Sequence, residues 1–556
     1  MVRPVAKGDR GARQPLRSRA GGGTGVGTAV RQTVRSVVIE VQPRSAGFLR
    51  DLILQLRDAE ERTTPKYDRL MSKAPALHFM SMTVFEDAHY DPIFVIEVNF
   101  DGAPGPFWAQ LDEAIGPELR GMLRCCEPPR DSMASLFEAV IAANSRRPLA
   151  AFLEAQAVGP AVHHVGNRGL SRERIVRQAD LFFAVQEELG DGRRFQGLDA
   201  ATVHRCLRAA LLPRFAWLEG KPPRRIPRTE RAGDALRLAA FAGLVLLGLS
   251  FPGLVLALLM PASAVLALSG LAAVVMGGVL WRQDRPVQKS RLPALPGFGI
   301  VAAVIAVVAV YLGALSVTAG ALLALLDGIA FGAAFWTCAT FFGLGLAGAP
   351  ATVLALLLWL RRLERRDPAQ DAPPLDEEAL RAMTRREDQS VQNHMGSVVL
   401  VKPGVLRAVL IRVGLWGLGL VLRLTATDGY LGSMRTIHFA HWALVCNGSR
   451  LMFFSNFDGS WESYLDDFIE KAHGGLTLAW GSGVGFPPAR YLVLGGASEG
   501  RKFKAWARHS MPESLFWFSA YENLTVNEIE RHASVAEGLS RPTLSEGEAA
   551  TWTKHL

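Results

Sequence analysis

Two aspartates stand third in the same four-residue string in this 556-residue chain: Asn99-Phe100-Asp101-Gly102 and Asn456-Phe457-Asp458-Gly459. A carboxylate between the end of a strand and the start of a helix can take or deliver a proton, so Asp101 and Asp458 are candidate acid/base groups. The same residues also suit plain turns, where Asn and Asp satisfy backbone donors and Gly accepts positive φ. Histidine recurs as well, His78 in Leu77-His78-Phe79 and His438 in Ile437-His438-Phe439. Facing one interior, such a pair could ligate a cofactor or metal; otherwise each ring hydrogen-bonds a neighbouring strand. His163-His164 falls opposite Trp517-Phe518 when residues 149–179 are laid without a gap on 503–533. Neighbours on a strand point to opposite faces, so one residue of each pair enters the interior, and His163 or His164 becomes a further ligand candidate, with His438 and His509 behind them.

The elements that must position these residues occur twice. Residues 36–41 (SVVIEV) match 397–402 (SVVLVK), and the His and Asp strings follow in the same order in both halves. The first half reads as strand 34–41, amphipathic helix 45–61, strands 77–86 and 92–98, helix 107–123 and a last strand 161–165. The second gives strand 397–401, helix 405–422, strands 435–445 and 450–455, helix 461–472 and strand 515–519. Alternating Phe94, Ile96 and Val98 support strand, and Leu49, Leu52, Ile53 and Leu56 share one helical face. Each half is therefore an α+β, ferredoxin-like β-α-β-β-α-β repeat. A sheet covered by helices on one face leaves the other to be buried, and the second copy supplies the cover, giving an intramolecular α/β barrel.

In this pattern the chain resembles the dimeric α/β-barrel superfamily, which includes haem-dependent dye-decolorising peroxidases. The resemblance covers the two repeats and not the segment between them. It implies a haem held by a histidine, with His163, His164, His438 and His78 as the cofactor-binding candidates, and Asp101 or Asp458 in the place of the aspartate of the GxxDG motif. The leading Gly of that motif is absent at Val98 and Ser455. The function this implies is a membrane-anchored, peroxidase-like oxidoreductase; the alternative is a non-catalytic barrel that binds an apolar, lipid-like ligand or a partner protein. Other signatures are missing: no HExxH or Walker pattern occurs, and five cysteines form no CxxC or metal-ligand spacing.

About 130 apolar residues separate the repeats, in a chain that is 49% hydrophobic. Four membrane spans are expected, at 235–258, 262–281, 299–323 and 329–360, each supplying the ~20 apolar residues a bilayer requires. The helix 405–422 is apolar enough to be a fifth, but it matches an ordinary helix of the first repeat and carries Arg407 and Arg412. The net charge of +9 gathers beside the spans, which suits orientation in a membrane and not nucleic acid. The resulting order is a disordered basic arm 1–33, repeat 34–190, basic linker 191–232, membrane bundle 233–360, charged linker 361–394, repeat 395–540 and tail 541–556. Basic flanks place both termini in the cytoplasm of a bacterial inner-membrane protein. Reporter fusions at the two termini are expected to score on the same side; opposite sides would exclude pairing of the repeats within one chain.

Overall fold

The computed structural model describes residues 30–87, 90–190, 194–220, 224–283, 298–367, 377–387, 390–426, 431 and 434–556. The arm 1–29, the loop with Arg285, Lys289 and Arg291, and a stretch of the charged linker lie outside them. The first half supplies β1 (Gln32–Glu40), β2 (Leu77–Phe85), β3 (Ile93–Asp101), β4 (Ala157–Val158) and β5 (Val162–Val165). From the second come β6 (Gln392–Leu400), β7 (Ile437–Val445), β8 (Arg450–Asp458), the hairpin β9–β10 (Ala489–Arg490, Leu494–Gly495) and β11 (Phe516–Ser519). Alternation makes these strands two-faced. Phe94, Ile96, Val98 and Phe100 of β3 pack with Leu49, Ile53, Leu111 and Leu119 of the helices Ala46–Glu61 and Pro104–Leu123. On the opposite face, Ile93 and Val95 meet Ala443, Met452 and Phe454 of the second sheet.

The last strand of each half is exchanged. One sheet runs β11-β2-β3-β1-β4 and the other β5-β7-β8-β6. Thus β5 pairs antiparallel with β7 (His163 opposite His441), and β11 with β2 (Trp517 opposite Ser81). Two self-contained repeats closing into a barrel are not what forms: no ladder joins the sheet edges among the described residues, and the body is an open two-sheet sandwich. The cause is local. β4 pairs with β1, and only residues 159–161, with Pro160 among them, separate it from β5, so the chain turns out of its own sheet and into the facing one.

The equivalence of the first strands also shifts by one residue. Gln32 lies opposite Asp101 as Gln392 lies opposite Asp458, so Ser36 corresponds to Gly396 and not to Ser397. A slip of one reverses every side chain. Ser36 accordingly faces the second sheet, where its Oγ is 3.0 Å from His441 Nε2, while Ser397 Oγ bonds Ser510 Oγ at 2.7 Å, behind its sheet.

Among the described residues five helices are long and apolar enough to cross a membrane, as in a multi-pass membrane protein. Four belong to the insert: Arg228–Leu259, Ala262–Gln283, Phe298–Asp327, and the pair Phe331–Ala347 and Ala349–Glu364, which meet at Gly348 ahead of Pro350. The fifth, Val405–Thr425, connects β6 to β7 and buries Leu406, Ile411 and Leu415, while Val405, Val409, Val413 and Trp416 remain exposed. The segments read as linker and tail are ordered where described. Ala200–Leu211 and Glu546–Trp552 close a separate core with Arg172–Leu189 and Val526–Ser540, built on Phe182, Leu207, Leu539 and Trp552.

Glycine permits a close helix approach in the insert. A Cβ on Gly253 would lie 2.2 Å from Gly345 O and 2.9 Å from Gly348 Cα, the small-residue contact by which membrane helices pack. Gly253→Ala is expected to lower thermal stability in detergent by ~1–3 kcal/mol as overpacking forces the helices apart. Gly270→Ala, where a Cβ meets nothing within 4 Å, should leave the melting temperature unchanged or slightly raised.

Candidate functional site

Each recurring histidine sits at a β-bulge, between Leu77 and Phe79 in one copy and Ile437 and Phe439 in the other. A bulge re-aims the side chain at that point, and both rings turn to the aspartate ending the next strand. His438 Nε2 and Asp458 Oδ1 form a 2.7 Å hydrogen bond; His78 Nε2 lies 3.0 Å from Asp101 Oδ1, a contact too oblique to be one. The second oxygen of each carboxylate caps a helix: Arg172 N donates to Asp101 Oδ2 at 2.7 Å and Val526 N to Asp458 Oδ2 at 2.8 Å. Ser171 and Thr525 add N-caps to the same helices. Gln32 Nε2 donates to Leu170 O (2.8 Å) and Gln392 Nε2 to Leu524 O (2.6 Å), which pins the loop leading into each helix.

The copies differ at one tyrosine. Tyr521 Oη lies 2.8 Å from His78 Nδ1, whereas His438 Nδ1 is buried without a partner among the described residues. Burial, then the negative charge of Asp101, pushes the Tyr521 hydroxyl well above its ordinary range. It remains a neutral hydrogen-bonding group.

Between the sheets the packing is half polar. Glu97, fully buried, accepts from Ser81 Oγ (3.1 Å), Asn456 Nδ2 (3.2 Å) and Asn99 Nδ2, and His394 Nε2 approaches within 3.4 Å. Trp517 Nε1 donates to Asn456 Oδ1 at 2.9 Å. Burial raises the Glu97 pKa, but the His394 contact and the neighbouring histidine charges outweigh it and the net shift is downward. Sequence reasoning missed this carboxylate, although Glu in an otherwise apolar strand is a readable signal.

An open cleft of about 590 Å³ lies where the sandwich meets the first membrane helix, Arg228–Leu259. Arg31, Arg35, Arg168, Arg225, Arg237 and Arg423 line it, with Val162, His163, Trp416 and Leu420 on its walls. Behind it, Asp234, 1% exposed, is approached by Arg168 (3.1 Å), Arg237 (3.1 Å) and Arg423 (3.0 Å). Glu230 contacts Arg168, whose Nη1 also donates to Arg423 O at 2.7 Å. Arg225 pairs with Glu530 at 2.6 Å. Loop, membrane helix and the helix Val405–Thr425 are thus joined by one ion network.

Of the sequence candidates, Asp101, Asp458, His78 and His438 are joined in the two helix-capping pairs, outside the cleft. His164 is 2% exposed with both nitrogens unpartnered among the described residues, and burial holds it down to about 3. His163 lines the cleft; burial, then the charge of Arg423, pushes it down to about 4. His509 is exposed at a helix end. A haem paired with an acid/base carboxylate is not fitted by this arrangement, since both oxygens of Asp458 are hydrogen-bonded, Asp101 caps a helix through Oδ2 with its Oδ1 turned to His78, and neither aspartate lines the cleft that His163 faces. Among the described residues no cluster of three or more His, Cys, Asp or Glu is placed to hold a metal ion. The class defined by fold and site is a multi-pass membrane protein with a two-sheet α+β body and an arginine-lined cleft at their junction. Comparison with known families, with curated proteins and with solved structures gave no match.

Three buried imidazoles set an acid limit. Burial lowers His164 to about 3, and His441 and His532 to about 4. The unfolded chain takes up these protons near pH 6.5 and the folded one does not, so stability falls as the pH drops from about 6.5 to 4. Each unit of difference is ~1.4 kcal/mol per group. Glu97, shifted down, adds its loss below about pH 4.5, its ordinary value. Thermal melts in detergent should show a clear drop between pH 7 and pH 5; a flat profile would contradict the neutral buried state of these rings.

Proposed function

We propose that the protein is a non-catalytic, membrane-anchored binding module whose cleft takes an amphipathic, lipid-like ligand at the bilayer surface. The observation that carries this reading is the position of the cleft. Its polar wall is arginine, its apolar wall is Trp416 and Leu420, and it opens beside a membrane helix that is charged up to Arg237 and apolar from Leu238 onward. A volume of about 590 Å³ lies within the ordinary range for small-molecule sites. The two His–Asp pairs join helix starts to sheet ends, which supports a structural role for them.

In this reading the four apolar segments of the insert cross the membrane and Val405–Thr425 lies at its surface, exposed valines and Trp416 toward lipid. Each half keeps a ferredoxin-like order of elements, modified by exchange of its last strand. The arginines flanking the insert favour the cytoplasmic side of a bacterial inner membrane for both termini. A peroxidase-like, haem-binding role retains one observation in its favour, a neutral His163 facing the cleft.

The two readings separate on the purified full-length chain expressed with haem supply. The module reading expects no Soret band. It also expects Asp101→Asn and Asp458→Asn each to cost ~1–3 kcal/mol of thermal stability, from weakened bonds to buried groups, with retained lipid, measured by mass spectrometry of the denatured protein, unchanged. A Soret band that disappears in His163→Ala would replace the module with a haem oxidoreductase.

A further inference from the structure

We infer that the cleft recognises a phosphate-bearing headgroup, with the apolar portion of the ligand laid along Trp416 and Leu420; this rests on the binding-module reading of the same cleft. The argument is one of charge and placement. Six arginines line the cleft, and among the described residues the carboxylates that meet them are three: Glu230, Asp234 and Glu530. An excess of three positive charges remains, and a neutral imidazole at His163 leaves that excess unchanged.

Arg31 and Arg35 hold most of this surplus. Neither has a carboxylate partner among the described residues; Arg35 Nη1 donates to its own strand at Val34 O, at 3.0 Å, which leaves the rest of its planar fork free. Guanidinium forks match phosphate oxygens two at a time and are more weakly hydrated than ammonium, so a cleft whose described cations are all arginines suits a phosphate better than diffuse attraction of any anion. Asp234 holds Arg168, Arg237 and Arg423 in place from behind. Glu230 lines the cleft as well, and its charge is taken up by Arg168 and Arg423.

Placement limits the source. The first membrane helix carries Arg228, Glu230, Arg231, Asp234 and Arg237 and then only apolar or small residues as far as Leu259. The ring of Trp416 packs edge-on against Phe241 of that helix, centroids 4.8 Å apart, and amphipathic tryptophan rings concentrate at the level of lipid headgroups. The cleft therefore lies where a phospholipid presents its phosphate.

The test is thermal unfolding of the full chain in a maltoside detergent, titrated separately with dihexanoyl phosphatidic acid, dihexanoylglycerol and inorganic phosphate. Phosphatidic acid is expected to stabilise saturably, with its apparent affinity at least tenfold weaker in an Arg31→Gln, Arg35→Gln double variant and unchanged in Arg50→Gln. Neither arginine of the double variant joins an ion pair among the described residues, so its melting temperature without ligand should match that of the parent. Phosphate alone acting as strongly, and weakened by the same double variant, would support the phosphate site with a soluble ligand as its source. An equal response to dihexanoylglycerol would overturn the headgroup inference and leave the binding module standing. A flat response to all three, or binding indifferent to the double variant, would overturn the assignment of this cleft.

Discussion

Each half of the chain completes the other's sheet, and the rest of the architecture follows from that exchange. Ordering a four-residue strand costs ~1–2 kcal/mol per residue in backbone entropy. Burying Phe516 and Phe518 returns ~1.5–3 kcal/mol each, so these side chains of β11 do not fully offset its own ordering. The balance must come from what holds the chain as it leaves the strand. Asp458 accepts the first N–H of the helix after β11, and Gln392 donates to the loop between them; Asp101 and Gln32 do the same for β5. The repeated polar residues are where they are because a strand that leaves its own sheet needs its return path fixed.

This explains why the interior tolerates a carboxylate. The apolar end of the sandwich, with Val95, Met452 and Phe454, would satisfy any pairing of two greasy faces. Glu97 would not. Its oxygens are met by residues of both halves, Ser81 and Asn99 from the first, Asn456 and His394 from the second, and Trp517 is tied to the same Asn456. A shifted register would leave a buried charge without these partners, a penalty of several kcal/mol. The cluster thus selects one alignment of the sheets, as a buried polar residue does in a coiled coil.

The sequence carried the repeat, the strand and helix order, the apolar insert and the two His–Asp strings, because each is written in local periodicity or in self-similarity. Strand partnership is not local, so the exchange of β5 and β11 could not be read; a four-residue strand looks the same in either sheet. The match of Ser36 with Ser397 misled for a related reason. Identity of short β-rich strings is weak against a shift of one, and only the ladder to β3 and β8 reveals that Gly396 is the true counterpart. The expected contrast of His163-His164 with Trp517-Phe518 does mark an asymmetry, since Trp517 joins the Glu97 cluster while His163 opens onto the cleft. The arginines of that cleft were visible only as charge beside a membrane segment. Their convergence from β1, the loop after β5, the first membrane helix and the helix before β7 is a property of the tertiary fold.

Exchange also constrains how the chain meets the membrane. Because β5 precedes the insert and pairs with β7, which follows it, the insert must begin and end on one side of the bilayer, and an odd number of crossings is incompatible with the sandwich. The helix Val405–Thr425 falls under the same restriction, since β6 and β7, which it connects, both pair with β8. A single crossing there would pull strands of one sheet to opposite sides of the bilayer. Its apolar length is then better understood as a surface that must satisfy lipid on one side and the domain on the other. The last turn of the same helix carries Arg423, whose carbonyl and guanidinium both enter the ion network around Asp234. The arginine cleft is therefore built on the contact through which membrane helix and sandwich hold one another, so a ligand bound there would act directly on their relative position.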